Sequence, residues 1–72
     1  SNSETRRPNI GIGDDVIIED AIIDKNVHIG SNVIIRNPES VEPKETDMYA
    51  VRDGVICVVK NAVVPFGTRI GK

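Results

Sequence analysis

The segment IIDKNVHIGSNVII, residues 22–35, contains several residue types that could catalyse a reaction or bind a ligand. His28 could act as a general base, because the pKa of histidine lies near neutral pH. Lys25 could hold an anion such as a phosphate as a point charge. Lys60 and Arg52 add two more cations in the second half of the chain. These side chains form either one site or the outer positions of a structural repeat.

Several kinds of catalytic site lack the residues that they require. The GIG at Gly11–Gly13 has neither the third glycine nor the helix of a dinucleotide fingerprint, and no P-loop sequence is present. A zinc site built from several histidines is excluded, since His28 is the sole histidine. Cys57 is the single cysteine and lies in an apolar run, so we expect it to pack as a buried small hydrophobe.

The elements that position these residues must be built from β-branched side chains. Isoleucine and valine dominate the apolar residues, while leucine and tryptophan are absent. Branching at Cβ favours pleated strands over helices. The net charge of −2 and the 3% aromatic content argue against a nucleic-acid partner. The β-branched residues predict an all-β protein. The apolar runs are too short for a membrane span, so we expect no membrane partner and a cytoplasmic location.

Aliphatic residues recur every six positions in both halves of the chain. Windows of six begin at the following residues, with one five-residue step: Ile12, Ile18, Ile23, Ile29, Val58, Val64 and Ile70. The fifth position of each window is β-branched or small, so the first and fifth positions should face a common core. A short extended segment followed by a corner, repeated in this way, predicts a parallel β-helix around an Ile/Val core.

The fourth position is predicted to turn the corner in five of the six complete windows. It holds Asp15, Ala21, Asn26, Asn32, Asn61 and Gly67. Aspartate, asparagine and glycine tolerate a positive φ best, so every window except that of Ala21 has a suitable residue. Ile22 takes the fifth position of the window of Ala21, and the next window begins one residue early, at Ile23.

Lys25 and Lys60 each precede an asparagine corner. They should therefore point outward from equivalent positions of different coils. Two ammonium groups brought together by coiling would form a site for a phosphate. The alternative is an ordinary pair of solvated lysines. Arg52, just before a returning strand, is a weaker anion-site candidate, with an exposed structural arginine as the alternative.

The repeat also predicts the organisation of the chain. Residues 1–9 have no apolar pattern and are expected to be a flexible lead-in, and residues 10–35 should form β-helix coils. Residues 36–54 are polar, contain two prolines and break the repeat, which predicts an excursion loop. Residues 55–72 should then form a closing coil. Because a short coil stack has open ends, we expect it to continue upstream or to pack against copies of itself.

Two segments together, IGIGDDVIIEDAIIDKNVHIGSNVII and ETDMYAVRDGVICVVKNAVVPFGTRIG, resemble the C-terminal β-helix domain of the ADP-glucose pyrophosphorylase (glucose-1-phosphate adenylyltransferase) family. The similarity runs from Ile10 to Gly71 and includes the five-residue step, the interrupting loop and the closing coil. The resemblance implies a left-handed parallel β-helix of hexapeptide repeats, interrupted by one excursion loop.

The resemblance also implies a function. Full-length members of this family make ADP-glucose and pyrophosphate from ATP and glucose 1-phosphate, for glycogen or starch synthesis. Mg²⁺ and ATP would serve an N-terminal catalytic domain, and no cofactor is expected in this chain, which would be non-catalytic alone. As a regulatory and oligomerisation domain, it would pack on the catalytic domain, contribute to a homotetramer and help bind a phosphorylated metabolite effector. In a plant the location would be the plastid.

The resemblance bears on individual residues as well. Lys25 and Lys60 match positions that contact anions in the cyanobacterial and plant-like branch of the family. His28 stands where an arginine is frequent, and Met48 stands where a glycine is common, so the identity of the effector is not carried over.

Two other functions fit parts of the sequence. A hexapeptide-repeat acyltransferase could use His28, at an outward position, as its general base. A purely structural assembly module would need only the coils, with the acidic residues of the first coil solvating its outside.

Overall fold

The computed structural model describes residues 10–72, so the flexible lead-in predicted for residues 1–9 lies outside the described residues. Within residues 10–72, nine short strands and one 3-10 turn, Pro38–Ser40, follow one another along the chain. The strands are β1 (Gly11–Ile12), β2 (Ile17–Ile18), β3 (Ala21–Ile23), β4 (His28–Ile29), β5 (Ile34–Ile35), β6 (Tyr49–Arg52), β7 (Val55–Val58), β8 (Val63–Val64) and β9 (Arg69–Ile70).

The strands stack into three sheets, one for each side of a triangular coil. Sheet 1 has the order β1-β4-β8, sheet 2 the order β2-β5-β9, and sheet 3 the order β3-β7-β6. Successive coils pair in parallel and in register, so that Ile18 lies beside Ile35 and Ile35 beside Ile70. The first coil is therefore β1–β2–β3, the second β4–β5–β7, and the third begins with β8–β9. The predicted all-β fold of parallel six-residue repeats is confirmed.

The excursion is inserted between the second and third sides of the second coil. It leaves after β5 and returns through β6, which pairs antiparallel with β7 and places Tyr49 opposite Val58. Residues 36–54 are thus more than a loop, because they contain the 3-10 turn and β6. In sheet 3, β6 lies beyond β7, at the level where the third side of the third coil would lie.

The inward positions form one aliphatic core. Its fully buried members, with a relative exposure below 2%, are Val27, Val33, Ile35, Val41, Ile56, Val58 and Val64. Residues Ile23, Val27, Ile29 and Val33 face this core as predicted. The first coil contributes less, since Ile18 is only half-buried and Ile12 is 53% exposed.

All five predicted corners are confirmed by their backbone angles. The φ values are 57° at Asp15, 59° at Asn26, 60° at Asn32, 67° at Asn61 and 75° at Gly67.

The window of Ala21, which has no suitable residue at its fourth position, turns its corner one residue earlier. Asp20 turns that corner, with a φ of 54°. The five-residue step shortens the window before its corner, so each later residue of the window moves by one position. Ala21 therefore pairs with inward-facing Ile56 in sheet 3, and Ile22, which the count of six put at a fifth position, is 60% exposed. Aspartate tolerates a positive φ better than alanine, because alanine has no side-chain group that stabilises the left-handed conformation. The corner therefore lies at Asp20, although the count of six points to Ala21.

The excursion packs against the end of the third coil. The N–H of Arg36 donates to the carbonyl of Ile70 over 3.0 Å, and the N–H of Lys72 donates to Ser40 Oγ over 2.8 Å. Val41, 1% exposed, extends the aliphatic core into the excursion. Gly71 permits this closeness, because a Cβ there would lie 1.8 Å from the carbonyl oxygen of Arg36. The excursion thus closes one end of the core.

In the part of the chain that the structure describes, no helix has the length and apolar character needed to cross a bilayer.

Candidate anion site at two stacked corners

Lys25 and Lys60 lie at equivalent corners of adjacent coils. The corner at residues 24–26 follows β3, the corner at residues 59–61 follows β7, and these strands pair in register. The N–H of Asn61 donates to the carbonyl of Lys25 over 3.0 Å, which ties one corner to the other. Adjacent parallel strands lie about 4.8 Å apart, so the two lysine backbones are separated by roughly that distance. Both lysine residues are exposed, as predicted.

Hydrogen bonds fix the backbone of both corners. Asp24 Oδ1 accepts the N–H of Lys25 over 2.7 Å, and the N–H of Asp24 donates to the carbonyl of Val58 over 3.1 Å. In the corner of the second coil, the N–H of Val59 donates to the carbonyl of Met48 over 2.9 Å. The excursion is therefore anchored directly beside Lys60.

Two cations on adjacent strands repel each other, because like charges directly opposite destabilise a sheet. A bound dianion would remove that repulsion and gain two charge-assisted hydrogen bonds. Asp24 places one carboxylate beside the lysine of the first coil, whereas the equivalent residue of the second coil, Val59, is uncharged. The arrangement can attract an anion electrostatically. Its exposure to solvent keeps the attraction modest, since water screens exposed charges.

Arg52 does not join the two lysines. It pairs with Val55, at the start of β7, whereas Lys60 follows the end of that strand. A strand rises about 3.3 Å per residue, so the backbones of Arg52 and Lys60 lie more than roughly 10 Å apart along the sheet. Arg52 is exposed and solvated at the other end of sheet 3.

His28 lies on the outer side of sheet 1, between Gly11 and Val63. It is exposed, as predicted. The absence of a side chain at Gly11 makes room for its ring, since a Cβ there would lie 3.1 Å from His28 Cδ2. Asp24, at the preceding corner, is also exposed.

Cys57 is half-buried and faces outward from sheet 3, paired with Ile22 and Ala50. The expectation of a buried thiol is therefore met only in part. Within residues 10–72, no cluster of three or more histidine, cysteine, aspartate or glutamate side chains could hold a metal ion.

Sequence reasoning missed two features of the excursion. One is the bond from Val59 to the carbonyl of Met48. The other is a cavity of about 300 Å³ between the excursion and the third coil, with Ser40, Tyr49, Arg69 and Lys72 among its lining residues. Neither leaves a periodic signal in the sequence, because both depend on how an irregular segment folds back on the coils.

Known proteins with similar sequences point to one family. A family model described as the GLGC left-handed parallel beta-helix domain matches residues 1–69. The glucose-1-phosphate adenylyltransferase small subunit of Triticum aestivum, named chloroplastic/amyloplastic, is 48% identical over 63 residues, which are 85% of this chain and 13% of that protein. The corresponding small subunit of Zea mays is also 48% identical over 63 residues, which are 85% of this chain and 50% of that protein.

These matches fix the handedness that the strand pairing alone leaves open: the β-helix is left-handed. The chain spans half or less of the length of these two relatives.

Proposed function

The chain belongs to the GLGC left-handed parallel β-helix domain family, and from this we propose that it is the C-terminal regulatory and oligomerisation domain of a glucose-1-phosphate adenylyltransferase. The relatives that carry this name support the proposal, because each is 48% identical to this chain over 85% of the chain's length. In this proposal the domain is non-catalytic. It packs on an N-terminal catalytic domain of the same protein and contributes to a homotetramer.

The proposed parent enzyme joins ATP and glucose 1-phosphate into ADP-glucose and pyrophosphate, for starch or glycogen synthesis. Mg²⁺ and ATP belong to its catalytic domain. A plastid location applies if the source is a plant, in keeping with the name of the wheat relative.

One observation carries the regulatory part of the proposal: the N–H of Asn61, next to Lys60, donates to the carbonyl of Lys25 and so holds the two lysine corners together. The ligand we propose there is a phosphate group, on a phosphorylated metabolite or as inorganic phosphate. The two ammonium groups hold it as point charges, and the N–H···O bond between the corners keeps the two side chains in register. Arg52 is assigned no role, because it lies at the far end of sheet 3.

Inorganic phosphate is the probe that tests this site. We expect phosphate to raise the melting temperature of the chain, and Lys25→Ala and Lys60→Ala each to weaken phosphate binding by about two- to fivefold, since one solvent-exposed charge pair contributes at most about 1 kcal/mol. Arg52→Ala removes another exposed cation, at the far end of sheet 3, and is the matched control.

In the full-length enzyme, the same two variants should lose most of the response to a phosphorylated activator while basal turnover remains near that of the parent. An unchanged effector response in both variants would reduce Lys25 and Lys60 to surface charges and refute the regulatory assignment.

A further inference from the structure

The cavity of about 300 Å³ between the excursion and the third coil has two walls. Ser40, Val41, Glu42 and Tyr49 form the wall on the excursion, and residues 69–72 form the wall at the end of the third coil. Pockets for small molecules hold about 300–1,000 Å³. The cavity therefore has room for a small ligand only.

Hydrogen bonds hold the two walls in place. The N–H of Lys72 donates to Ser40 Oγ over 2.8 Å, and Ser40 Oγ donates to the carbonyl of Asn37 over 2.8 Å. Asn37 Nδ2 in turn donates to the carbonyl of Lys72. Tyr49 is fixed separately, because its hydroxyl donates to the carbonyl of Pro43 over 3.3 Å. A ligand would thus meet walls that are already formed, which lowers the entropic cost of binding.

The lining is apolar at the floor and charged at the mouth. Val41 is 1% exposed, Ile70 2% and Tyr49 7%, so these buried residues form the floor. Glu42 and Arg69 are exposed and lie on opposite walls, at the solvent end of the cavity. A ligand that fits this lining has a short apolar part and a charged end.

The charges of the two walls have opposite signs. Glu42 brings a carboxylate from the excursion, whereas Arg69 and Lys72 bring cations from the third coil. Half-buried Gly71 adds an N–H that donates to no backbone carbonyl within the described residues 10–72. An anion alone would be repelled by the glutamate, and a cation alone by the arginine and the lysine. A zwitterion suits both walls, because its ammonium and its carboxylate find separate partners.

We propose that this cavity binds a zwitterionic α-amino acid with a short aliphatic side chain. The carboxylate of the ligand binds the guanidinium of Arg69 in a bidentate manner. Its ammonium binds Glu42, and its side chain packs on Val41 and Ile70. No lining residue belongs to the two lysine corners. The amino-acid site is thus an addition to the phosphate site proposed above and does not depend on it.

L-Valine is the probe, with two analogues that each lack one charge. Isovalerate lacks the ammonium, and isobutylamine lacks the carboxylate. We expect L-valine to shift the amide NMR signals of Ser40, Glu42 and Gly71 in the complete 72-residue chain. The shifts should saturate with a dissociation constant on the order of 1–10 mM, because exposed charge pairs contribute little each. Each analogue should bind about two- to fivefold more weakly than L-valine.

Charge-removing variants assign each charge of the ligand to its partner. Glu42→Gln should make L-valine and isovalerate bind about equally. Arg69→Gln with Lys72→Gln should do the same for L-valine and isobutylamine. Pairing each variant with an analogue forms a double-mutant cycle, which a general loss of stability does not imitate. Glu45→Gln and Arg52→Gln remove exposed charges outside the cavity and are the matched controls.

Three results would overturn the proposal. One is the lack of saturable shifts at L-valine concentrations up to about ten times the expected dissociation constant. Another is isovalerate binding to the parent as tightly as L-valine, which would make the cavity a plain anion site. The third is L-valine binding that is unchanged in both charge-removing variants, which would place the ligand elsewhere on the chain.

Discussion

The first and second coils share one sequence pattern but differ in burial. Ile12 and Ile29 pair with each other and hold the same position of the repeat, yet Ile12 is 53% exposed and Ile29 only 4%. The second coil lies between two others, whereas within the described residues the first coil is covered on one side. The repeat register therefore sets the direction in which a side chain points, and neighbouring coils set how far it is buried, as expected of a solenoid.

The largest test of this difference is a paired truncation. Ile35 is 0% exposed and its partner Ile18 is half-buried. We expect Ile35→Ala to lower the free energy of unfolding by about 2–5 kcal/mol, the range for a fully buried isoleucine. Ile18→Ala should lower it by less than half as much. Urea denaturation followed by circular dichroism measures both, and equal losses would contradict the comparison.

A smaller effect is expected for added methyl groups. In the second coil, a Cβ at Gly30 would lie 2.6 Å from the backbone N of Phe66. Gly30→Ala should cost about 1–3 kcal/mol, because backbone must move to relieve the overlap. In the first coil, Gly11→Ala meets only the exposed ring of His28, which can turn away, so a change within about 0.5 kcal/mol is expected. Thermal melts of the two variants distinguish these outcomes.

The smallest test concerns the corner that the count of six misplaced. Asp20→Asn should change stability by no more than about 0.5 kcal/mol, since asparagine also tolerates positive φ. Ala21→Asn should cost about 1 kcal/mol, because it turns an amide toward the core. If Ala21→Asn were instead the harmless change, the corner would lie where the periodic count put it. Urea midpoints for both variants decide the matter.

The regular part of the fold was predictable because its causes are local. A six-residue aliphatic period and a polar residue able to adopt positive φ can both be recognised within short stretches of the sequence. Five corners and the inward face of residues 23–33 followed from them. Asp20 shows the limit: where the period slips, the chemistry of the corner residue decides, and counting alone fails.

The excursion was not predictable in the same way. The pairing of β6 with β7 and the packing of Val41 on the third coil involve residues that no period relates to one another. The proposed anion site likewise has one part that the sequence predicted and one part that it did not. The stacking of Lys25 on Lys60 follows from the register and was predicted, whereas the attachment of the corner to Met48 and the separation of Arg52 depend on how the excursion folds. Anion binding at the two lysines stays a prediction.

The position of β6 also limits how this architecture can change in length. Solenoids grow in evolution by duplicating a repeat, and each new coil must find all three of its sides vacant. Here β6 already occupies the third side of the third coil, and it runs antiparallel to the neighbouring strand β7. Its other edge is bonded to residues 44–46, through the N–H of Val51 and the carbonyl of Tyr49. A duplicated coil at this end would first have to displace the hairpin, so the insertion that closes the core also blocks the addition of a coil at this end.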